Sequence, residues 1–203
     1  MLDVLEKGGP VLWLLIVIGL GSVWVIIERL FFFHTVDLDE AKLRERLQGT
    51  LYAGRWEEAL ALATQNQSPL ASLLRAGILQ RNLPEADRKD AVVNAASQEV
   101  LRLENNLHLL QTVSHIAPLL GLLGTVTGCM HAFGILGNAG TVSDPSVLAR
   151  GISEALINTV AGILVAVPNV MFYNHFVRKV QKVSIRLEQQ ATDLLLMLAG
   201  RLS

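Results

Sequence analysis

Four polar side chains stand inside long apolar runs where they could handle an ion: Thr125 in one run, and Glu154, Asn158 and Thr159 in the next. Hydroxyls and carboxamides can hydrogen-bond a charged or transiently neutralised group and lower the cost of removing it from water. Glu154 is the only acid in its run. A central charge facing lipid is opposed by about 2.5–3.5 kcal/mol on an insertion scale. Glu154 is therefore expected to face a cavity, or to sit near the outer interface, where its early place in the run puts it.

Helical residues advance by about 100° each. Gln111, Ser114, Pro118, Gly121, Thr125, Gly128, Cys129 and Ala132 then fall on one arc, while Thr127 and His131 fall opposite Thr125. In the next run Glu154, Ala155, Asn158, Thr159, Gly162, Ala166 and Asn169 share one wide face. Two uses of these faces stay open and are compatible. Small residues at Gly121, Gly124-x-x-x-Gly128, Gly151-x-x-x-Ala155 and Gly162 let helices approach closely. The polar members could instead line a pathway. Each threonine alone can bond its own preceding turn, and Asn158 can pair helices. Pro118 and Pro168 are expected to kink their helices. His108 and His131 fit an interfacial place as well as a proton relay.

Other chemistry is missing. Gly121-Leu-Leu-Gly124-Thr-Val-Thr-Gly128 lacks the Gly-Lys-Ser/Thr ending of a phosphate loop, and no His-Glu-x-x-His pair or Gly-x-Ser-x-Gly turn occurs. Ser114 and His115 are sequence neighbours, which do not share a helix face. No catalytic, cofactor-binding or metal-ligating set is expected, and the chain does not read as an enzyme.

The elements that must position these residues follow from composition. Of 203 residues 51% are hydrophobic and 17% charged, too apolar a balance for an ordinary soluble domain. The formal net charge of -1 gives no basic field for nucleic acid. Cys129 is the sole cysteine, so no internal disulfide forms. Three runs, at 10–33, 107–136 and 147–177, can each cross a ~30 Å hydrocarbon layer, which needs about 20 helical residues. The fold class is an all-α membrane protein with three transmembrane helices. A cleaved signal is disfavoured for the first run, because Glu28-Arg29 follows in place of small residues. Trp13 and Trp24 suit the interfacial belts, and Arg29 can snorkel to the inner headgroups. Lys and Arg concentrate in 34–106 and 178–203. By the positive-inside rule those parts are cytosolic, and residues 1–9 and the linker 137–146 face outward.

In 34–106 Asp37 with Glu40 reads as a capping-box-like helix start. Gly54 reads as a stop, Trp56–Thr64 as a short amphipathic helix, and Ser68-Pro69 as an N-cap with proline at N1. From Pro84 the pattern Val92, Ala95/Ala96, Glu99/Val100, Leu103 runs into the second span, predicting one continuous helix. The third span is likewise expected to run on through Val183, Leu187, Gln190 and Leu194. The cytosolic part reads as a helical bundle supporting the membrane part.

Two long segments carry a resemblance. Ala117-Pro-Leu-Leu-Gly-Leu-Leu-Gly-Thr-Val-Thr-Gly128 and Gly151-Ile-Ser-Glu-Ala-Leu-Ile-Asn-Thr-Val-Ala-Gly-Ile-Leu-Val-Ala-Val-Pro168, ending near Tyr173-Asn174, closely resemble the signature segments of the MotA/TolQ/ExbB proton-channel family. Gly8-Gly9-Pro10 and Ile26-Ile-Glu-Arg-Leu30 are similar to the start of its ExbB and TolQ branches. The resemblance implies a homo-pentamer in the bacterial inner membrane around two copies of an ExbD/TolR-like single-span partner with an essential Asp. It implies a motor driven by the proton-motive force, passing work through a TonB-like periplasm-spanning protein to outer-membrane importers. It implies that Thr125 and Thr159 are the pore-facing threonines and Glu154 the third-span glutamate. Asn158 stands where Ala or Thr is usual, and Thr127 where many relatives have Trp. The alternatives are a TolQ-like role in envelope constriction and a solute permease component.

Overall fold

The computed structural model describes residues 9–52, 54–138 and 145–199; the side chains at 48, 49, 51, 52, 135–138, 145, 147, 150 and 154 lie outside that description. Every regular element among the described residues is a helix: α1 Gly9–Tyr52, α2 Trp56–Thr64, α3 Pro69–Leu79, α4 Glu85–Glu104, α5 Leu107–Asn138 and α6 Pro145–Leu198. Three of them, α1, α5 and α6, hold stretches long and apolar enough to cross a bilayer. This is an all-α membrane fold.

The chain divides into two compact units. One comprises Met1–Ile27 and Asn106–His175, the other Glu28–Asn105 and Phe176–Ser203. The first holds most of the apolar sequence. Its core is Leu15, Ala117 and Ala166, with Val11, Val113, Leu120, Ala161 and Val165 packed around them. Leu20, Trp24, Leu119, Met130, Leu164 and Met171 are exposed, as expected of side chains that meet lipid or another subunit. A buried polar link joins α1 to α6. The Asn169 amide donates to Ser22 Oγ at 3.0 Å, and the Ser22 hydroxyl donates to the Gly19 carbonyl at 2.8 Å.

In the second unit Phe33 stacks on Phe176 with centroids 5.5 Å apart. Leu43, Leu47, Leu70, Leu73, Leu74, Val92, Leu103, Val183, Leu187 and Leu194 are buried, and α3 packs on both α2 and α4. Ser68 Oγ accepts the Ala71 N–H at 3.4 Å with Pro69 next to it, so this helix starts as its sequence predicts. Gly54 has φ +66 just past α1, a conformation L side chains avoid.

Four expectations need correcting. No helix starts at Asp37, because α1 runs unbroken from Gly9 to Tyr52. No proline interrupts Asp37–Leu47, and the two acids have other partners. Asp37 pairs with Lys179 at 2.7 Å, and buried Glu40 accepts from Gln190 at 3.1 Å. Nor does one helix run from Pro84 into the second span. α4 ends at Glu104, and Asn106 takes φ 62 before α5 begins. Asparagine is among the few non-glycine residues that tolerate this left-handed geometry. Arg29 does not snorkel. It is 5% exposed, pairs with Glu28 at 2.8 Å and lies 4.7 Å over the Phe32 ring. Finally, Ser114 and His115 do come together, at 3.3 Å, because both side chains fold back to the Gln111 carbonyl.

Candidate ion-pathway site

The site is built where α5 and α6 cross within the first unit, and glycine makes the crossing close. A Cβ at Gly162 would lie 2.5 Å from the Ala117 carbonyl oxygen, and one at Gly121 would lie 2.8 Å from the Asn158 carbonyl oxygen. At Gly128 it would meet the Ala155 methyl at 2.7 Å, and at Gly151 the Ala132 methyl at 2.6 Å. The small residues of both stripes thus face one another. This is the geometry that membrane helices use when apolar burial gives no net drive and dispersion must come from backbone proximity.

The close approach brings the two threonines together. The hydroxyls of Thr125 and Thr159 hydrogen-bond each other across the helices. Thr125 Oγ1 also reaches the Gly121 and Ala155 carbonyls at 3.2 and 3.3 Å, and Thr159 Oγ1 reaches the Gly121 carbonyl at 3.2 Å. Two hydroxyls carry two protons. One can lie between the oxygens and the other on a carbonyl, so the pair is satisfied within the chain. Both residues are half-buried. A hydroxyl that turns away from its carbonyl could donate a hydrogen bond to an ionised acid, and its lone pair could accept one from a protonated acid.

Asn158 is 4% exposed, and its carboxamide lies over Gly124. Its Oδ1 is buried with no hydrogen-bond partner among the described residues, an expensive state in an apolar setting. Glu154 lies on α6, one turn before Asn158, but its side chain is outside the described residues. Pro118 and Pro168 sit inside helices α5 and α6. Thr127 is exposed and bonds its own helix at the Leu123 carbonyl, 2.9 Å away. Among the described residues no cluster of His, Cys, Asp and Glu could hold a metal ion.

The Gly124–Asn158 contact gives a direct test. A methyl at Gly124 would sit 2.5 Å from Asn158 Cβ. Gly124→Ala is expected to cost about 1–3 kcal/mol, as overpacking does. Asn158→Gly, which removes that Cβ, should recover much of the loss, whereas Asn158→Ala should not. A thermal-melting double-mutant cycle reads the coupling. Additive losses would mean that the two side chains do not meet.

Sequence spacing placed Thr125 and Thr159 on facing stripes but missed Ser22 and its bond to Asn169. A signal was there, since Ser22 is the sole hydroxyl between Val11 and Ile27.

A family model described as the MotA/TolQ/ExbB proton channel family matches residues 65–189. The ExbB-like 3 biopolymer transport protein of Synechocystis sp. is 32% identical over 171 residues, covering 83% of this chain and 81% of that protein. The biopolymer transport protein exbB1 of Vibrio cholerae is 30% identical over 171 residues, 81% of this chain and 74% of its own. The Tol-Pal system protein TolQ of Haemophilus influenzae is 42% identical over 89 residues, 44% of this chain and 39% of its own. The matched range takes in both glycine stripes and the threonine pair, and the chain belongs to the MotA/TolQ/ExbB proton channel family.

Proposed function

We propose that this chain is the ring-forming inner-membrane subunit of a complex driven by the proton-motive force. Five copies surround two copies of an ExbD/TolR-like single-span protein, whose aspartate alternates between protonated and ionised forms against Thr125 and Thr159. The N-terminus faces the periplasm, and Glu28–Asn105 with the C-terminal part of α6 faces the cytosol. The observation that carries this reading is the Thr125–Thr159 hydroxyl pair, closed on backbone carbonyls between two apolar helices. It is a neutral hydrogen-bonding station that can exchange protons' positions without holding charge. One charge crossing 100 mV releases about 2.3 kcal/mol, enough to bias one step. Sustained work needs several protons in sequence.

In the ExbB-like form of this reading, work passes through a TonB-like protein to outer-membrane importers. The TolQ-like form serves envelope constriction, and the match to the Haemophilus influenzae TolQ keeps it in view. Native mass spectrometry of the gently solubilised chain tests the assembly, alone and co-expressed with a single-span partner. Five subunits that gain two partner copies are expected. A stable monomer or dimer would remove the ring and favour a permease component.

A further inference from the structure

The second unit leaves a groove of about 560 Å³ open between α4 and the C-terminal part of α6. Val93, Val100, Leu101, Leu187, Ala191 and Leu195 line it, together with the exposed Lys89 and Glu188. Leu101 is 67% exposed. Apolar side chains gathered along one groove, rather than scattered singly, mark a surface that something covers. α1 carries a ridge of matching chemistry. Leu38, Lys42 and Glu45 stand at helical spacing on one face, and all three are exposed, Leu38 by 47%. Lys42, Glu45, Lys89 and Glu188 form no ion pair among the described residues, whereas Asp37, Glu40 and Arg44 on the same stretch of α1 all do.

Contacts within the unit set the level of each helix against the others. Asn66 Nδ2 donates to the Asp39 carbonyl at 3.1 Å, and Arg102 Nη1 donates to the Gln67 carbonyl at 3.3 Å. Arg102 is therefore level with Asp39. Glu40 accepts from Gln190 at 3.1 Å and lies 3.9 Å from Arg186, which puts it level with that turn of α6. A Cβ at Gly77 would meet Leu194 at 2.7 Å and Val92 at 3.3 Å, so Val92 is level with Leu194 and α4 runs antiparallel to α6. At about 1.5 Å per residue, Leu38 stands within about a turn of the level of Leu101, and Lys42 within about a turn of Glu188. Glu45 lies on toward the Lys89 end. Read in one direction, the ridge is apolar, basic, acidic, and the groove is apolar, acidic, basic.

We propose that the α4–α6 groove receives the Leu38–Glu45 ridge of α1 from a second copy of this chain. Leu38 of one copy packs on Leu101 of the next, Lys42 meets Glu188, and Glu45 reaches toward Lys89. This rests on the proposed function for its ring. Rotation about the bilayer normal keeps every residue at its depth, so the matching order is preserved from copy to copy. A ridge on one copy and a groove on the next make a heterologous contact, the kind that closes into a ring. Covering the apolar floor supplies the attraction, while the two charge pairs fix the register and oppose a shifted one.

Cysteine crosslinking of the full chain in membranes tests this, in a Cys129→Ser background. Leu38→Cys combined with Leu101→Cys in one chain is expected to give a ladder of crosslinked copies up to the whole ring. Either change alone should give no product; a product from one alone means that copies meet by like faces and overturns the proposal. The charges are tested on the same reporter. Lys42→Glu is expected to lower the crosslinked yield about fivefold, the upper range for an exposed ion pair, and Glu188→Lys added to it to restore the yield. Unchanged yield in Lys42→Glu overturns the charge-set register. Native mass spectrometry separates this proposal from the reading beneath it. A ring that forms without the ladder overturns the groove contact and leaves the proposed function standing. A chain that stays monomeric overturns both. Crosslinking of Leu101→Cys to a co-expressed single-span partner instead of to a second copy overturns the proposal by giving the groove another occupant.

Discussion

Gly162→Ala is expected to be the most destabilising single-methyl change in the chain. The new Cβ would lie 2.5 Å from the Ala117 carbonyl oxygen, 3.1 Å from Gly121 Cα and 3.3 Å from the Ala117 carbonyl carbon. All three are backbone atoms, so no side chain can swing aside and the two helices must separate. Overpacking of an interior commonly costs about 1–3 kcal/mol, and here the rigid neighbours place the cost at the upper end. The same separation pulls Thr159 away from the Gly121 carbonyl it reaches at 3.2 Å. Gly134→Ala is the matched control, since a Cβ there meets nothing within 4 Å. Thermal melting in detergent should show a large fall for Gly162→Ala and almost none for Gly134→Ala. Equal melting temperatures would mean that α5 and α6 do not cross at Gly162.

The second large effect is on activity. Thr159→Ala removes one of two coupled hydroxyls and leaves Thr125 to bond the Gly121 or Ala155 carbonyl alone. A buried hydrogen bond to a group that changes charge is worth roughly 1.5–3 kcal/mol. Each 1.36 kcal/mol is tenfold in rate, so a fall of about ten- to a hundredfold in gradient-driven activity is expected. Glu154→Ala is expected to act in the same direction. Assembly should survive both changes, because close packing at this crossing comes from Gly121, Gly124, Gly128 and Gly162. In-cell activity alongside native mass spectrometry separates the two readouts. Normal activity in both variants would remove the polar pathway, whereas lost assembly would recast these residues as structural.

The sequence made the central crossing readable because two simple rules meet there. Small residues recur at helical spacing on both runs, and the threonines share those faces. Gly54 and Ser68-Pro69 were readable for local reasons, as each satisfies backbone geometry within its own turn. The failures share a different cause. Asp37 and Glu40 look like a helix start because acids and turns often coincide, but their partners Lys179 and Gln190 lie some 140 residues away or more, beyond any local rule. The periodicity of Val92, Glu99 and Leu103 continues smoothly toward Leu107 and masks the break, although Asn105-Asn106 pairs the residue type that most readily takes the left-handed geometry seen at Asn106. Arg29 was misread because a charged residue at a span's end usually reaches for water, while here an adjacent carboxylate and an aromatic ring hold it inside.

The interruption at Asn105–Asn106 also bears on how the chain should respond to an inserted residue. α6 is a single screw of 54 residues, so one inserted residue turns everything beyond it by about 100°. An alanine inserted after Val177 would rotate Val180, Val183, Leu187 and Leu194 off their buried stripe while Thr159 stayed in place. α4 and α5 are separate screws whose angular phase is not shared, because two non-helical residues stand between them. An alanine inserted between Asn105 and Asn106 should therefore leave both buried stripes, Val92–Leu103 and Leu110–Ala132, in phase with themselves. The joint can therefore take one more residue without re-registering either helix, and expression screening of the two insertions would show the asymmetry as a folded and an aggregated product.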